Sequence, residues 1–194
     1  MHESDLGHAA RDDAPDAFEA VVEAYQRPIY NLCYRMLGEP GAAEDAAQET
    51  FLRAFQHRAS YDPARPFKTW LLSIASHYCV DRLRRRRLIW LSADDDLLLD
   101  HPSLTESSPR PETVVIRREE SAQIQQFLDG LRPQDRCAII LRYWHGLSYV
   151  EIAAVLGATV ASVKSRLHRA RQTLAGALTH TMGRELAHSG MAEV

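Results

Sequence analysis

The sequence predicts an all-α protein built as two small helical domains joined by an acidic, flexible linker, and three observations carry that expectation. Apolar residues recur at spacings of three and four along almost every stretch that contains them. No strand-like alternation of any length appears, and no repeat of 20 to 50 residues is visible. Between 92 and 118 the apolar periodicity gives way to serines, three prolines and six carboxylates against three arginines, a composition that suits a tether better than a core. The expected layout is an N-terminal tail at 1–13, a first domain at 14–91, the linker at 92–118, a second domain at 119–178 and a C-terminal tail at 179–194.

In the first domain, Phe18, Val21, Val22 and Tyr25 keep helical spacing, and Ile29, Leu32, Cys33 and Met36 resume it after Pro28, where the helix is expected to kink or reset. "GEPG" at 38–41 ends the segment. Ala43, Ala47, Phe51, Ala54 and Phe55 then form the apolar face of a second helix reaching about Arg58, whose opposite face shows Asp45, Gln48, Glu49, Leu52 and Gln56. "SYDPARPF" breaks the pattern with two prolines. A third helix is expected from Lys68 to Arg87, with Trp70, Leu71, Ile74, Ala75, Tyr78 and Leu83 available for packing and "RLRRRR" at its end.

In the second domain, Arg132-Pro133 starts a helix on which Cys137, Ile140, Leu141 and Trp144 share a face, and Gly146 ends it. Ser148 followed three residues later by Glu151 is a capping box, so the next helix starts at Tyr149 and turns Ile152, Ala153, Val155 and Leu156 inward. Gly157 permits a left-handed stop, and Thr159 caps a last helix. At about 100° per residue, Val163, Leu167, Ala170 and Leu174 make its packing stripe. Ser162, Ser165, His168, Arg169 and Gln172 lie opposite, with Lys164, Arg166 and Arg171 on the shoulders. Two helices across so short a turn form a helix-turn-helix, which can lay its second helix in a major groove. The competing reading is a solvated amphipathic surface helix.

Composition excludes several classes. The chain has 194 residues, 45% of them hydrophobic, and a net charge of −3. It contains no apolar run long enough for a membrane span, and its polar, acidic start does not resemble a secretory signal, so a cytoplasmic location is expected. Cys33, Cys79 and Cys137 are too far apart in sequence for a zinc pattern and odd in number, so they read as small core residues. His180, His188, Met182 and Met191 near the end match no recognised metal-ligand spacing. No nucleophile–base spacing or Gly-rich phosphate loop stands out, so neither catalytic residues nor cofactors are expected.

Three segments in series resemble the extracytoplasmic-function (ECF) sigma factors of bacterial RNA polymerase. "EDAAQETFLRAF", "FKTWLLSIASHYCVDRLRRRR" and "LSYVEIAAVLGATVASVKSRLHRARQTL" look like that family's polymerase-binding helix, −10 promoter helix and −35 helix-turn-helix. The match runs from about Ala17 to Leu178 in the family's order. It implies a partner in core RNA polymerase, contacted through Asp45, Gln48, Glu49 and Leu52. It implies capture of the −10 non-template strand by Tyr61, Asp62, Phe67, Lys68, Trp70, His77, Arg82, Arg84 and Arg85, where aromatic faces could stack on bases and cations meet phosphates. It implies contact with the −35 duplex through Ser162, Lys164, Ser165, Arg166, His168, Arg169 and Arg171, with Arg166 and Arg171 holding phosphates. His77 stands where the family often has asparagine, and Ala161 where a glycine is usual. The family also implies an anti-sigma factor as inhibitor, and a linker in which Asp94, Asp95, Asp96 and Asp100 could mimic RNA charge or merely be solvated.

A second function fits the helix-turn-helix alone: a transcriptional regulator whose N-terminal helices sense a ligand or dimerise. The arginine run and the aromatic loop weigh against it, since a sensor needs neither.

Overall fold

The computed structural model describes residues 15–93 and 122–189, and among them every regular element is helical. The first unit comprises α1 (Pro15–Leu37), α2 (Pro40–Gln56), a 3₁₀ turn (Arg58–Ser60) and α3 (Phe67–Ala93). The second comprises a helix at 122–129, here α4, then α5 (Pro133–Tyr143), α6 (Tyr149–Val155) and α7 (Val160–Ser189). The linker acids Asp94, Asp95, Asp96 and Asp100 and both ends of the chain lie outside the described residues.

The first unit is a three-helix bundle. Helix α1 carries Pro28 inside it and does not break there. Tyr25, Ile29, Leu32, Cys33 and Met36 are all buried along one stripe, and burial on both sides of the proline offsets the single backbone bond it lacks. Gly38, at φ +81°, ends the helix, its N–H returning 2.8 Å to the Tyr34 carbonyl. Pro40 then opens α2 behind an extended Glu39. Helix α3 begins at Phe67, with the Thr69 and Trp70 N–H groups on the Pro66 carbonyl. It passes the expected end at Arg87 and reaches Ala93, because arginine and leucine favour helix and no breaker intervenes.

In the second unit the expected caps are in place. Ser148 Oγ accepts the Glu151 N–H at 3.2 Å, and Glu151 Oε2 accepts the Ser148 N–H at 2.7 Å. Hydrogen bonding from the Ser148 side chain, and then from its backbone N–H, holds the Glu151 carboxyl below its usual range. Gly157, at φ +55°, closes α6 with the Ala158 N–H on the Ala153 carbonyl at 2.9 Å, the longer bond of a Schellman end. Thr159 Oγ1 accepts the Ser162 N–H at 3.1 Å and caps α7. Val163, Leu167 and Ala170 are buried with Leu174 beside them.

The two units pack directly on each other. Helix α5 meets α1 and α3, and α6 meets α3. Cys33, Cys79 and Cys137 are free and buried where these helices converge. Burial pushes the Cys137 thiol up to about 12, and the Cys33 side chain, with burial second, pushes Cys79 up as well. Such thiols behave as small apolar core groups.

Candidate nucleic-acid interface

The outer face of α7 is available as the sequence requires. Lys164, Ser165 and His168 are exposed, Ser162 and Arg166 are half-buried, and Val163 and Leu167 beneath them are fixed in the core. Ser165 Oγ donates to the Ala161 carbonyl at 3.1 Å, which leaves its oxygen to accept from a partner. Arg171 folds back, its Nε 3.0 Å from the Leu167 carbonyl. Arg169 is different in kind. Its Nε lies 3.1 Å from Asp135 Oδ2 and its Nη2 2.8 Å from Oδ1, so two of its five N–H donors are taken by a carboxylate on α5.

Around residues 61–70 the aromatic side chains face inward. Tyr61 is 5% exposed and Phe67 1%. Their rings meet edge to face at 5.1 Å, and Trp70 stands 5.3 Å from Tyr61 and 5.4 Å from Phe67. The cluster serves as a foundation for the loop above it. Tyr61 Oη donates to the Arg65 carbonyl at 2.7 Å, Asp62 Oδ1 accepts the Ala64 N–H at 3.0 Å, and Asp62 O accepts the Arg65 N–H at 3.0 Å. The result is an ordered turn, residues 62–66, whose side chains are all exposed.

Helix α3 carries the rest of the −10 set. His77 is exposed, and its Nδ1 lies 2.7 Å from the Ser73 carbonyl. A carbonyl only accepts, so Nδ1 carries a proton and donates it there. Arg84 lies 3.9 Å from Asp81. Arg82 lies 3.8 Å from Asp45, which joins the −10 set to the polymerase set. On α2, Asp45 and Gln48 are exposed, Leu52 is 51% exposed, and Glu49 pairs with Arg53 at 2.7 Å. Beside them Val22, Tyr30, Ala47 and Phe51 line a shallow, largely apolar groove of about 450 Å³.

The junction between the units centres on an arginine that periodicity did not single out. Arg136 is 4% exposed. Its Nε donates 2.7 Å to the Arg35 carbonyl at the end of α1, and its Nη1 pairs with Asp129 at 2.6 Å. Arg35 in turn lays its guanidinium 4.3 Å over the Trp144 ring. Trp144, expected on the packing face of α5, is thus 40% exposed and faces the other unit. Lys68 Nζ donates to the His145 carbonyl at 3.4 Å, so one candidate −10 cation touches the α5–α6 turn. The one signal in the sequence was a lone arginine in the otherwise apolar run "RCAIIL".

Comparison with known proteins assigns both units. Sigma-70 region 2 matches residues 21–89, and Sigma-70 region 4 matches residues 121–174. The chain is 39% identical over 163 residues to the ECF RNA polymerase sigma factor SigW of Bacillus subtilis (strain 168), which covers 82% of this chain and 87% of that one. The chain belongs to the ECF sigma factors. Over 161 residues this sigma factor is 37% identical to the ECF RNA polymerase sigma factor SigE of Mycolicibacterium smegmatis, spanning 83% of this chain and 61% of that relative. Among solved structures, CnrH in complex with the cytosolic domain of CnrY superposes with a TM-score of 0.69 at 25% identity, covering 92% of this chain and 97% of that one. No helix among the described residues of this sigma factor is long and apolar enough to cross a membrane.

Proposed function

We propose that this sigma factor binds core RNA polymerase through the Asp45, Gln48, Glu49 and Leu52 face of α2, meets the −10 strand with the 62–66 loop and α3, and reads the −35 duplex with α7. It works in the cytoplasm as a specificity subunit that adds no catalysis of its own, and an anti-sigma factor inhibits it by covering those surfaces. The 92–118 linker joins the two DNA-binding units.

The observation that carries this reading is the end of α6. A left-handed Gly157, a Thr159 cap and a stripe of buried Val163, Leu167 and Ala170 leave the polar face of α7 outward, the arrangement that suits a recognition helix. The aromatic cluster supports a revised −10 role for Tyr61 and Phe67, as the base of the loop that meets DNA. Run-off transcription with added core polymerase on a randomised promoter library tests the whole assignment. The expected result is enrichment of paired −35 and −10 sequences. Failure to co-elute with core, together with dimeric binding to a palindrome, would favour the regulator instead.

A further inference from the structure

Leu83 and Arg87 of α3, Asp129 and Arg132 around the α4–α5 turn, and Arg136 of α5 line a cavity of about 430 Å³. Its walls therefore come from both units. The charged lining is three arginines against one carboxylate, and that carboxylate, Asp129, is already paired with Arg136 at 2.6 Å. Arg87 and Arg132 are exposed, and neither has a carboxylate partner among the described residues.

Two sets of donors in this wall lack an acceptor. Helix α5, 11 residues long, has Arg132 at its N-cap and no side-chain cap, so its first turn is without the oxygen that serine, threonine or aspartate ordinarily brings. A cation is also the wrong charge for that end of a helix dipole. Asp135 in the first turn offsets part of this, but its carboxylate is held by Arg169. Deeper in the wall, Arg136 is 4% exposed, and its Nη2 is buried without a hydrogen-bond partner among the described residues. Burial lowers the Arg136 pKa although Asp129 raises it, as befits a buried cation that one half-exposed carboxylate does not fully offset. A buried donor of this kind calls for an acceptor or a counter-charge nearby.

We propose that this cavity is a phosphate-binding site: the phosphate group of a small ligand sits at the N-terminus of α5 and accepts from Arg132 and, across the joint, from Arg87, with the unmatched Nη2 of Arg136 in the wall behind them. Arginine forks and a helix N-terminus are the groups that suit phosphate, and the volume is that of a small-molecule site. Neither the outer face of α7 nor the 62–66 loop contributes to it. The site does not depend on the promoter-reading function proposed above. Because its walls belong to different units, a ligand there binds only their packed arrangement and stabilises it by mass action.

The test follows thermal unfolding of the full-length protein with inorganic phosphate as the probe, chloride replacing it at constant ionic strength. A saturating rise in Tm is expected, with slower hydrogen exchange at Gln134 and Asp135. Arg87→Gln and Arg132→Ser should each weaken phosphate about tenfold, and the double variant should lose the saturating response. Both arginines are exposed and the serine supplies an N-cap, so these variants keep the fold. Phosphate also stabilises proteins generally by exclusion from their surface, an effect that does not saturate and that the double variant retains. The proposal fails if the wild type shows only that unsaturating rise. It fails equally if the double variant binds phosphate as the wild type does, since the anion would then sit elsewhere. A duplex oligonucleotide that displaces phosphate from the wild type, and whose own affinity falls about tenfold in the double variant, would assign the cavity to the DNA backbone and overturn the small-ligand reading.

Discussion

On α7 the polar side chains expected to meet DNA stand clear of the core, whereas around residues 61–70 two of the aromatic side chains expected to meet DNA are the core. The contrast shows how each unit can present a surface. A helix sorts its side chains by angle, so one face packs while the other is left for a partner. A proline-rich loop has no such sorting. It gains a defined shape by anchoring its ends, here through Tyr61 and Phe67 buried beneath it and the Tyr61 hydroxyl on the Arg65 carbonyl. The surface this loop leaves open is therefore the exposed turn at 62–66.

The largest expected effect breaks the foundation itself. Phe67→Ala should destabilise the first unit by about 3–5 kcal/mol, the usual cost of deleting a buried aromatic ring, whereas Lys164→Ala on the open face should stay within about 0.5 kcal/mol. Thermal or urea unfolding of both variants measures the difference. A stable Phe67→Ala protein deficient only in −10 binding would return Phe67 to the DNA contacts.

The protein-facing surface should come next. Reversing Asp45 and Glu49 to lysine should weaken core polymerase binding about tenfold, or about 1.4 kcal/mol, with helical content unchanged. Both carboxylates also face arginines of their own chain, Arg82 and Arg53. A binding titration with labelled core gives the number, and an unaltered affinity would remove this face from the interface.

Loss of the Ser148 cap should be smaller and confined to the second unit. Ser148→Ala removes one half of the capping box and should cost about 1 kcal/mol. Hydrogen exchange should show it as faster opening of α6, with α1 to α3 unaffected. Protection lost equally in both units would mean that they unfold as one block.

The smallest signal concerns the contact between the units. Burial, then Lys68 of α3 and Arg35 of α1, push His145 down to about 4 from 6.5, and its Nε2 is buried without a hydrogen-bond partner among the described residues. A histidine with a lowered pKa favours the contact in its neutral form. The contact is therefore fully supported above pH 6.5 and weakens as the pH falls from 6.5 towards 4. Trp144 fluorescence should shift over that window as Arg35 leaves its ring, and His145→Gln should abolish the shift. A pH-independent emission in the unaltered protein would contradict this.

Much of this architecture was legible in local sequence. Ser148, Glu151, Gly157 and Thr159 act within a few residues of themselves, and the Val163, Leu167 and Ala170 stripe follows from helical pitch alone. What was not legible depends on partners far along the chain. Arg169 looks outward on a helical wheel, and nothing near it reveals that Asp135 lies opposite, 34 residues earlier. Arg136 and Trp144 carry the junction for the same reason, since a face that packs within its own unit cannot be told by spacing from one that meets another. At Pro28 the helix does not reset, because burial on both sides of the proline keeps its two halves in one element.

The reversal at Gly38 joins these scales. Its φ of +81° already disfavours any other residue, and a methyl group there would sit 3.1 Å from the Gln125 amide, which itself reaches the Arg35 carbonyl at 3.4 Å. A single added carbon at this position would press on the joint between the two units while touching none of the residues proposed above to meet DNA or polymerase. Natural variation at residue 38 would therefore be inherited as a change in how readily the molecule opens, with the sequence it recognises left as it was.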